Sequence, residues 1–321
     1  MVKVAVILLV VVIVGVFPAF AQQDQQQQAP LPVLAQDLLS RADQSLGNQE
    51  FENALRDLSL FILLNPTFSP AYYERAQAYV GLQDFDRALR DVNQALATEN
   101  DLWSTEYNAS LYALRGEIDQ RQQRTDDALK DYSQSITIQP SVQALASRGL
   151  LYFSSNDLDS ALDDFNGAVG LDSSNPVLYV YRGMINAQKK DVQASGADYL
   201  QFFNLIQASP VQQPEIQSGQ MVSLNVDQGV MFVLPFTAKA GQYASALAVG
   251  RSGNVDPLMV LIDAQGNPLA GDDDGGGSTN ALILNYVIPA DGEYNLLVGH
   301  SLGGYTGQVA LQIQISDTPA Q

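Results

Sequence analysis

The sequence predicts a multidomain α + β protein: an α-solenoid of five helix–turn–helix repeats followed by an antiparallel β-sandwich. Three observations predict it. An arginine recurs at Arg41, Arg75, Arg115, Arg148 and Arg182, and an aspartate follows each by sixteen positions, at Asp57, Asp91, Asp131, Asp164 and Asp198. Both series step by 34, 40, 33 and 34 residues, and a period near 34 with helical patterning marks stacked helical hairpins. Past Pro210 the texture changes to short alternating apolar runs broken by glycine, the pattern of half-buried strands.

Composition narrows the function classes. The 321 residues are 46% hydrophobic and 16% charged, enough for two cores. Sixteen Lys+Arg stand against 35 Asp+Glu, a formal net charge of −19. Such a surface repels phosphate backbones, which excludes nucleic acid as the expected partner, and it offers no basic patch for anionic lipid. The chain has no cysteine, so disulfides, thiolate nucleophiles, thiolate-bound zinc and a lipidated N-terminal cysteine are all excluded. A single histidine leaves little room for histidine catalysis.

Residues 1–21 read as a signal peptide. Lys3 precedes an apolar run from Val4 to Phe17, and Ala19-Phe20-Ala21 supplies a small-x-small cleavage site. The same run approaches the roughly 20 residues of a spanning helix, so an uncleaved anchor is the rival. Residues 22–33, rich in glutamine with Pro30 and Pro32, form a tether unable to bury a core. Secreted or extracytoplasmic localisation follows from the signal peptide.

Residues 34–207 carry the array. Helix A of each unit places Leu38, Tyr72, Tyr112, Leu145 and Tyr179 three residues before its arginine. A small residue follows the arginine each time (Ala42, Ala76, Gly116, Gly149, Gly183), letting helix B approach closely. Helix B presents Ala54, Ala88, Ala128, Ala161 and Ser195, then four residues later Leu58, Val92, Tyr132, Phe165 and Tyr199 on the same face. Pro66 and Pro140 stop their second helices. The turn segments NQEFENAL, LQDFDRAL and SNDLDSAL resemble the tetratricopeptide repeat family. The departures are an insertion around Glu99 to Ser104, which includes Trp103, and a degenerate fifth unit with Ser195-Gly196 in place of an alanine pair. The recurring charges are expected to join helices within or between repeats rather than to touch ligand. The resemblance implies a protein or peptide partner on the concave face of the A helices. Tyr73, Gln77, Val80, Glu117, Arg121, Leu150, Phe153, Met184 and Gln188 fall on that face, and the basic clamp some family members use for carboxy-terminal peptides is absent.

Residues 208–321 supply seven candidate strands: 221–226, 230–236, 243–249, 258–263, 282–288, 294–299 and 309–315. The run DPLMVLIDAQGNPLAGDDD, with FTAKAGQ before it and IPADGEYNLLVG and GGYTGQVALQI after it, resembles the bacterial pre-peptidase C-terminal domain. That resemblance implies a jelly-roll-like sandwich, an extracellular attachment or stability role, and in some relatives calcium or matrix binding. Asp272-Asp273-Asp274, with Asp256 and Asp263 near in sequence, are candidate oxygen ligands for calcium, or simply a solvated turn. GHSLGG (299–304) reads like a nucleophile elbow around Ser301, but no histidine follows it and the sequence after it alternates as a strand, so no catalytic residue is assigned. The chain is expected to be an exported, non-catalytic interaction scaffold. A calcium-assisted adhesion or polymer-binding role of the β domain is the alternative.

Overall fold

A computed structural model describes residues 33–98, 104–227, 229–277, 279–301 and 306–320. The signal segment, all of the tether but Val33, and Trp103 with the rest of the insertion before Ser104 lie outside the described residues. Helices come first: α1 (Val33–Gly47), α2 (Phe51–Leu64), α3 (Ser69–Gly81), α4 (Phe85–Ala97) and α5 (Thr105–Arg121). They continue as α6 (Thr125–Ile138), α7 (Val142–Ser154), α8 (Leu158–Leu171), α9 (Pro176–Gln188) and α10 (Val192–Leu205). The chain divides into two compact units between Leu151 and Tyr152, inside α7.

The turn from helix A to helix B is built alike in every repeat. Gln49, Gln83, Gln123, Asn156 and Lys190 all sit at positive φ, between 59° and 65°. The next residue or two then open the second helix. Asp84, Asp157 and Asp191 accept the N–H of Arg87, Ser160 and Ala194, capping α4, α8 and α10.

Arginine–aspartate pairs hold the first, second, third and fifth hairpins shut. Arg75 meets Asp91 through two parallel bonds of 2.7 and 2.8 Å, and Arg115 meets Asp131 at 2.6 and 2.8 Å. Arg41–Asp57 and Arg182–Asp198 pair in the same way. The third donor of the guanidinium reaches back to the preceding repeat. Arg75 bonds Ser59, Arg115 bonds Asn93, Arg148 bonds Ser133 and Arg182 bonds Asn166. One side chain thus closes its own hairpin and stitches it to the one before, as a one-dimensional stack requires.

Side-chain volumes across the hairpins compensate. Ala42 and Ala76 share clusters with Leu58 and Val92. Where helix B carries tyrosine instead, helix A carries glycine: a Cβ on Gly116 would lie 3.1 Å from the Tyr132 ring, and one on Gly183 2.5 Å from Tyr199.

Nine strands follow: β1 (Ser209–Gln212), β2 (Met221–Val226), β3 (Val230–Ala238), β4 (Tyr243–Gly250), β5 (Pro257–Asp263), β6 (Pro268–Asp272), β7 (Ala281–Val287), β8 (Gly292–His300) and β9 (Gly307–Ser316). They form a five-stranded sheet, β1-β3-β8-β5-β6, and a four-stranded sheet, β2-β9-β4-β7. One apolar cluster draws on both sheets, including Phe236, Leu261 and Leu296 from the first and Val226, Ala248 and Leu311 from the second.

Two features depart from the sequence expectation. The sheets are not wholly antiparallel, because β1 pairs parallel with β3. Strand β6 was not anticipated either, since PLAGD is short and contains glycine. Its reason is tertiary. Helix α10 lies on β6 so closely that a Cβ on Gly196 would stand 2.7 Å from the main chain of Ala270, and Ser195 Oγ donates to the Gly271 carbonyl at 2.8 Å. The unusual Ser195-Gly196 pair is therefore a seat for a strand. Around it Tyr179, Val180, Tyr199, Phe202 and Phe203 share a buried cluster with Val233, Leu258, Val260 and Leu297, so the last repeat is capped by the five-stranded sheet.

Candidate functional site

The residues assigned to the repeat face lie in both compact units. In the first, Tyr73, Gln77 and Val80 lie on α3, Glu117 and Arg121 on α5, and Leu150 on α7. Tyr73 and Val80 are partly spent on packing, since both abut the buried Ala76–Val92–Ile118 cluster and Tyr73 meets the Tyr107 ring edge-on at 5.8 Å. Arg121 is exposed and bonds Glu117 at 3.3 Å. Gln77 and Leu150 are half-buried. In the second unit Phe153 is half-buried, Met184 packs against the Tyr179 cluster, and Gln188 is exposed.

Sequence reasoning missed Glu74. It is 8% exposed, and its Oε2 has no hydrogen-bond partner. Burial pushes its carboxyl well above the usual range, and the charge of Asp43 on α1 adds to the shift. The available signal was an acid between Ala71 and Ala78, on the buried stripe of α3.

The predicted calcium ligands divide. Asp263 stands apart: Asp256 precedes β5 and Asp263 ends it, about 23 Å away at the rise of a strand. Its carboxylate is occupied by its own turn, accepting the N–H of Gln265 and Asn267 and the Asn267 amide. The hydrogen bonds to Asn267 hold it below the usual carboxylate range. Nearness in sequence misled here, because a strand separates its ends. Asp256, Asp272, Asp273 and Asp274 do come together. Asp272 accepts the N–H of Gly275 and Leu282 at 2.8 and 2.7 Å, shaping the turn after β6. Asp273, 2% exposed, takes the Ser301 hydroxyl at 3.1 Å. Burial, with Asp256 beside it, drives Asp273 well above its usual range, while burial and the charge of Asp274 push Asp256 up to about 7.

Ser301 is thus bound to an aspartate. His300 Nδ1 lies 3.1 Å from the Ser301 carbonyl oxygen, and burial depresses the imidazole. The motif from Leu302 to Gly304 lies outside the described residues, and the next described element is strand β9, whereas a nucleophile elbow requires a helix.

Residues 69–101 and 142–175 match the family model described as tetratricopeptide repeat. The human protein named tetratricopeptide repeat protein 13 is 28% identical over 144 residues, 43% of this chain and 16% of the relative. The chain therefore spans about a sixth of the length of that curated relative. Among solved structures, MamA 41-end from Desulfovibrio magneticus RS-1 is 18% identical with a TM-score of 0.49, covering 56% of this chain and 99% of that one. YrrB, whose title calls it a TPR protein with an unusual peptide-binding site, is 16% identical with a TM-score of 0.43, over 54% of this chain and 92% of its own. Residues 69–101 and 142–175 thus match tetratricopeptide repeats, and the remaining helical hairpins share their arginine–aspartate register and αL turn.

Proposed function

We propose that the protein is an exported, non-catalytic protein–protein interaction scaffold that holds an extended or helical segment of its partner against the A helices of its repeats. The observation that carries this reading is the repeat itself, matched in residues 69–101 and 142–175, since helical hairpins of this kind expose the faces of their A helices. Gln77, Glu117, Arg121, Leu150, Phe153 and Gln188 supply the mixed polar and apolar contacts. Tyr73, Val80 and Met184 contribute their exposed edges. The excess of acidic over basic residues favours a segment that brings basic side chains. The net charge of −19 supports the same preference at long range.

Export rests on the sequence of residues 1–21, and N-terminal sequencing of the secreted protein tests cleavage after Ala21. The β domain is read as a jelly-roll sandwich of the pre-peptidase C-terminal type. The strand orders β2-β9-β4-β7 and β3-β8-β5-β6 support this, being the interleaving produced when a long hairpin of eight strands rolls up. Selection of peptides from a random display library on the immobilised full chain tests the partner chemistry. Enrichment of lysine and arginine, with capture weakened about tenfold or more by Glu117→Lys and by Leu150→Asp, is the expected result. Selection of acidic peptides, or capture indifferent to both substitutions, would remove the reading.

A further inference from the structure

The two sheets differ in how their outer sides are covered. The five-stranded sheet turns Val233, Leu258, Val260 and Leu297 toward α9 and α10. The four-stranded sheet gives its inner side to the common core, and its outer side is open to solvent. There Met221 is 62% exposed, Leu284 56%, Val287 53% and Leu247 39%. Its strands, MVSLNV, YASALAVG, ALILNYV and GQVALQIQIS, contain no aspartate, glutamate, lysine or arginine, in a chain that is 16% charged. The pairing registers set the outward residues in rows. One row runs from edge to edge as Met221, Gln312, Leu247 and Leu282, and another ends the face with Ser316, Tyr243 and Val287. Charges return only past the strand ends, as at Asp227, Arg251 and Asp317, the last accepting the Gln242 amide at 2.9 Å. A charged rim around an uncharged, partly apolar centre is the layout of a protein interface.

We propose that this face is where two copies of the chain meet, sheet against sheet about a two-fold axis. Charge selects a second copy. With a formal net charge of −19, two copies repel one another through their acidic surfaces, and a face without carboxylates is where they approach at least cost. A basic partner would be drawn to the acidic remainder of the surface instead. A two-fold contact sets the same patch against itself, which glutamine, asparagine and serine suit because each side chain both donates and accepts hydrogen bonds. Area agrees. β4 is eight residues long and the sheet four strands wide, so the face measures about 27 by 19 Å, roughly 500 Å² in plan. The accessible area of a face corrugated by side chains is larger, which brings it close to the about 800 Å² per partner of a specific interface. The inference does not depend on what the repeats hold.

The test is sedimentation velocity of the purified full chain from about 1 to about 200 μM, a range that brackets a micromolar dissociation constant. The chain should pass from monomer to dimer and no further. Raising salt from about 0.15 to about 0.5 M should tighten the dimer severalfold, because screening weakens the repulsion between the acidic remainders. Leu247→Lys, and Gln312→Glu at an exposed position, should each keep the circular dichroism of the parent and stay monomeric. Gln312→Glu mixed with Gln312→Lys should restore the dimer that neither forms alone, since opposite charges then share the contact. Leu63→Lys, at an exposed apolar residue of α2, should dimerise as the parent does. A chain monomeric at every concentration leaves the face to some other occupant and overturns the proposal. So does a dimer indifferent to Leu247→Lys and Gln312→Glu, which puts the contact on the repeats or at a sheet edge. Should Leu247→Lys fail to fold, the two Gln312 variants carry the decision alone.

Discussion

Asp91 sits inside its hairpin with a side chain 9% exposed, facing Arg75 at 18%. Truncation to alanine removes both bonds and strands a guanidinium that keeps only the Ser59 hydroxyl and the Tyr72 ring. Asp91→Ala should therefore cost about 2–3 kcal/mol of stability in urea unfolding, the lower end for a broken buried pair because the arginine can still reach water. Glu74 gives the opposite sign. Its folded carboxyl titrates well above the ordinary value, so the folded state binds a proton more tightly than the unfolded one. Its contribution is fully present below the unfolded carboxyl value and is lost as pH rises through the folded one. Glu74→Gln should then be more stable than the parent at pH 8, with the gap closing toward pH 4.5. Urea midpoints across that range measure it, and a gap that widens on acidification would contradict the burial argument. The ladder was legible in the sequence because it repeats. Glu74 was not, because a single acid on one helical stripe has no periodicity to announce it.

At the scale of the element, the contact between α10 and β6 is an exacting fit. Gly196 faces the main chain of Ala270, and Gly271 faces the Gly196 Cα at 2.7 Å from where its own Cβ would be. Backbone stands on both sides, so neither can yield as a flexible side chain would. Gly196→Ala should cost about 3 kcal/mol in thermal or urea unfolding, the upper range for overpacking. Gly81→Ala meets only the Phe51 ring, at 2.5 Å, and should cost less because that ring can turn. Strand β9, which alternates, and β3, a longer apolar run, could be read from the sequence to within two residues. Strand β1 has four exposed residues and pairs only through its backbone, and β6 is fixed by a helix some 70 positions earlier. Neither carries a local pattern. The same limit explains Asp263, which is close to its presumed partners along the chain and far from them along the strand.

At the scale of the whole molecule, the break in texture near Pro210 and the division into compact units do not coincide, the latter falling between Leu151 and Tyr152. The reason is the cap on the last repeat. Val233, Leu258, Val260 and Leu297 face Tyr179, Tyr199, Phe202 and Phe203 rather than water. A fragment starting at Asn156 should fold cooperatively and stay monomeric, whereas one starting at Ala208 should bind a hydrophobic dye and aggregate, with circular dichroism and size-exclusion chromatography as the readouts. Equal behaviour of the two fragments would show that the shared cluster contributes little.

The seat that α10 makes for β6 also limits how the chain could lengthen. An extra hairpin inserted after Gln207 would have to offer a glycine and a serine at the right turn of its second helix, or leave four apolar strand side chains uncovered. A hairpin inserted upstream of α10 meets no such demand.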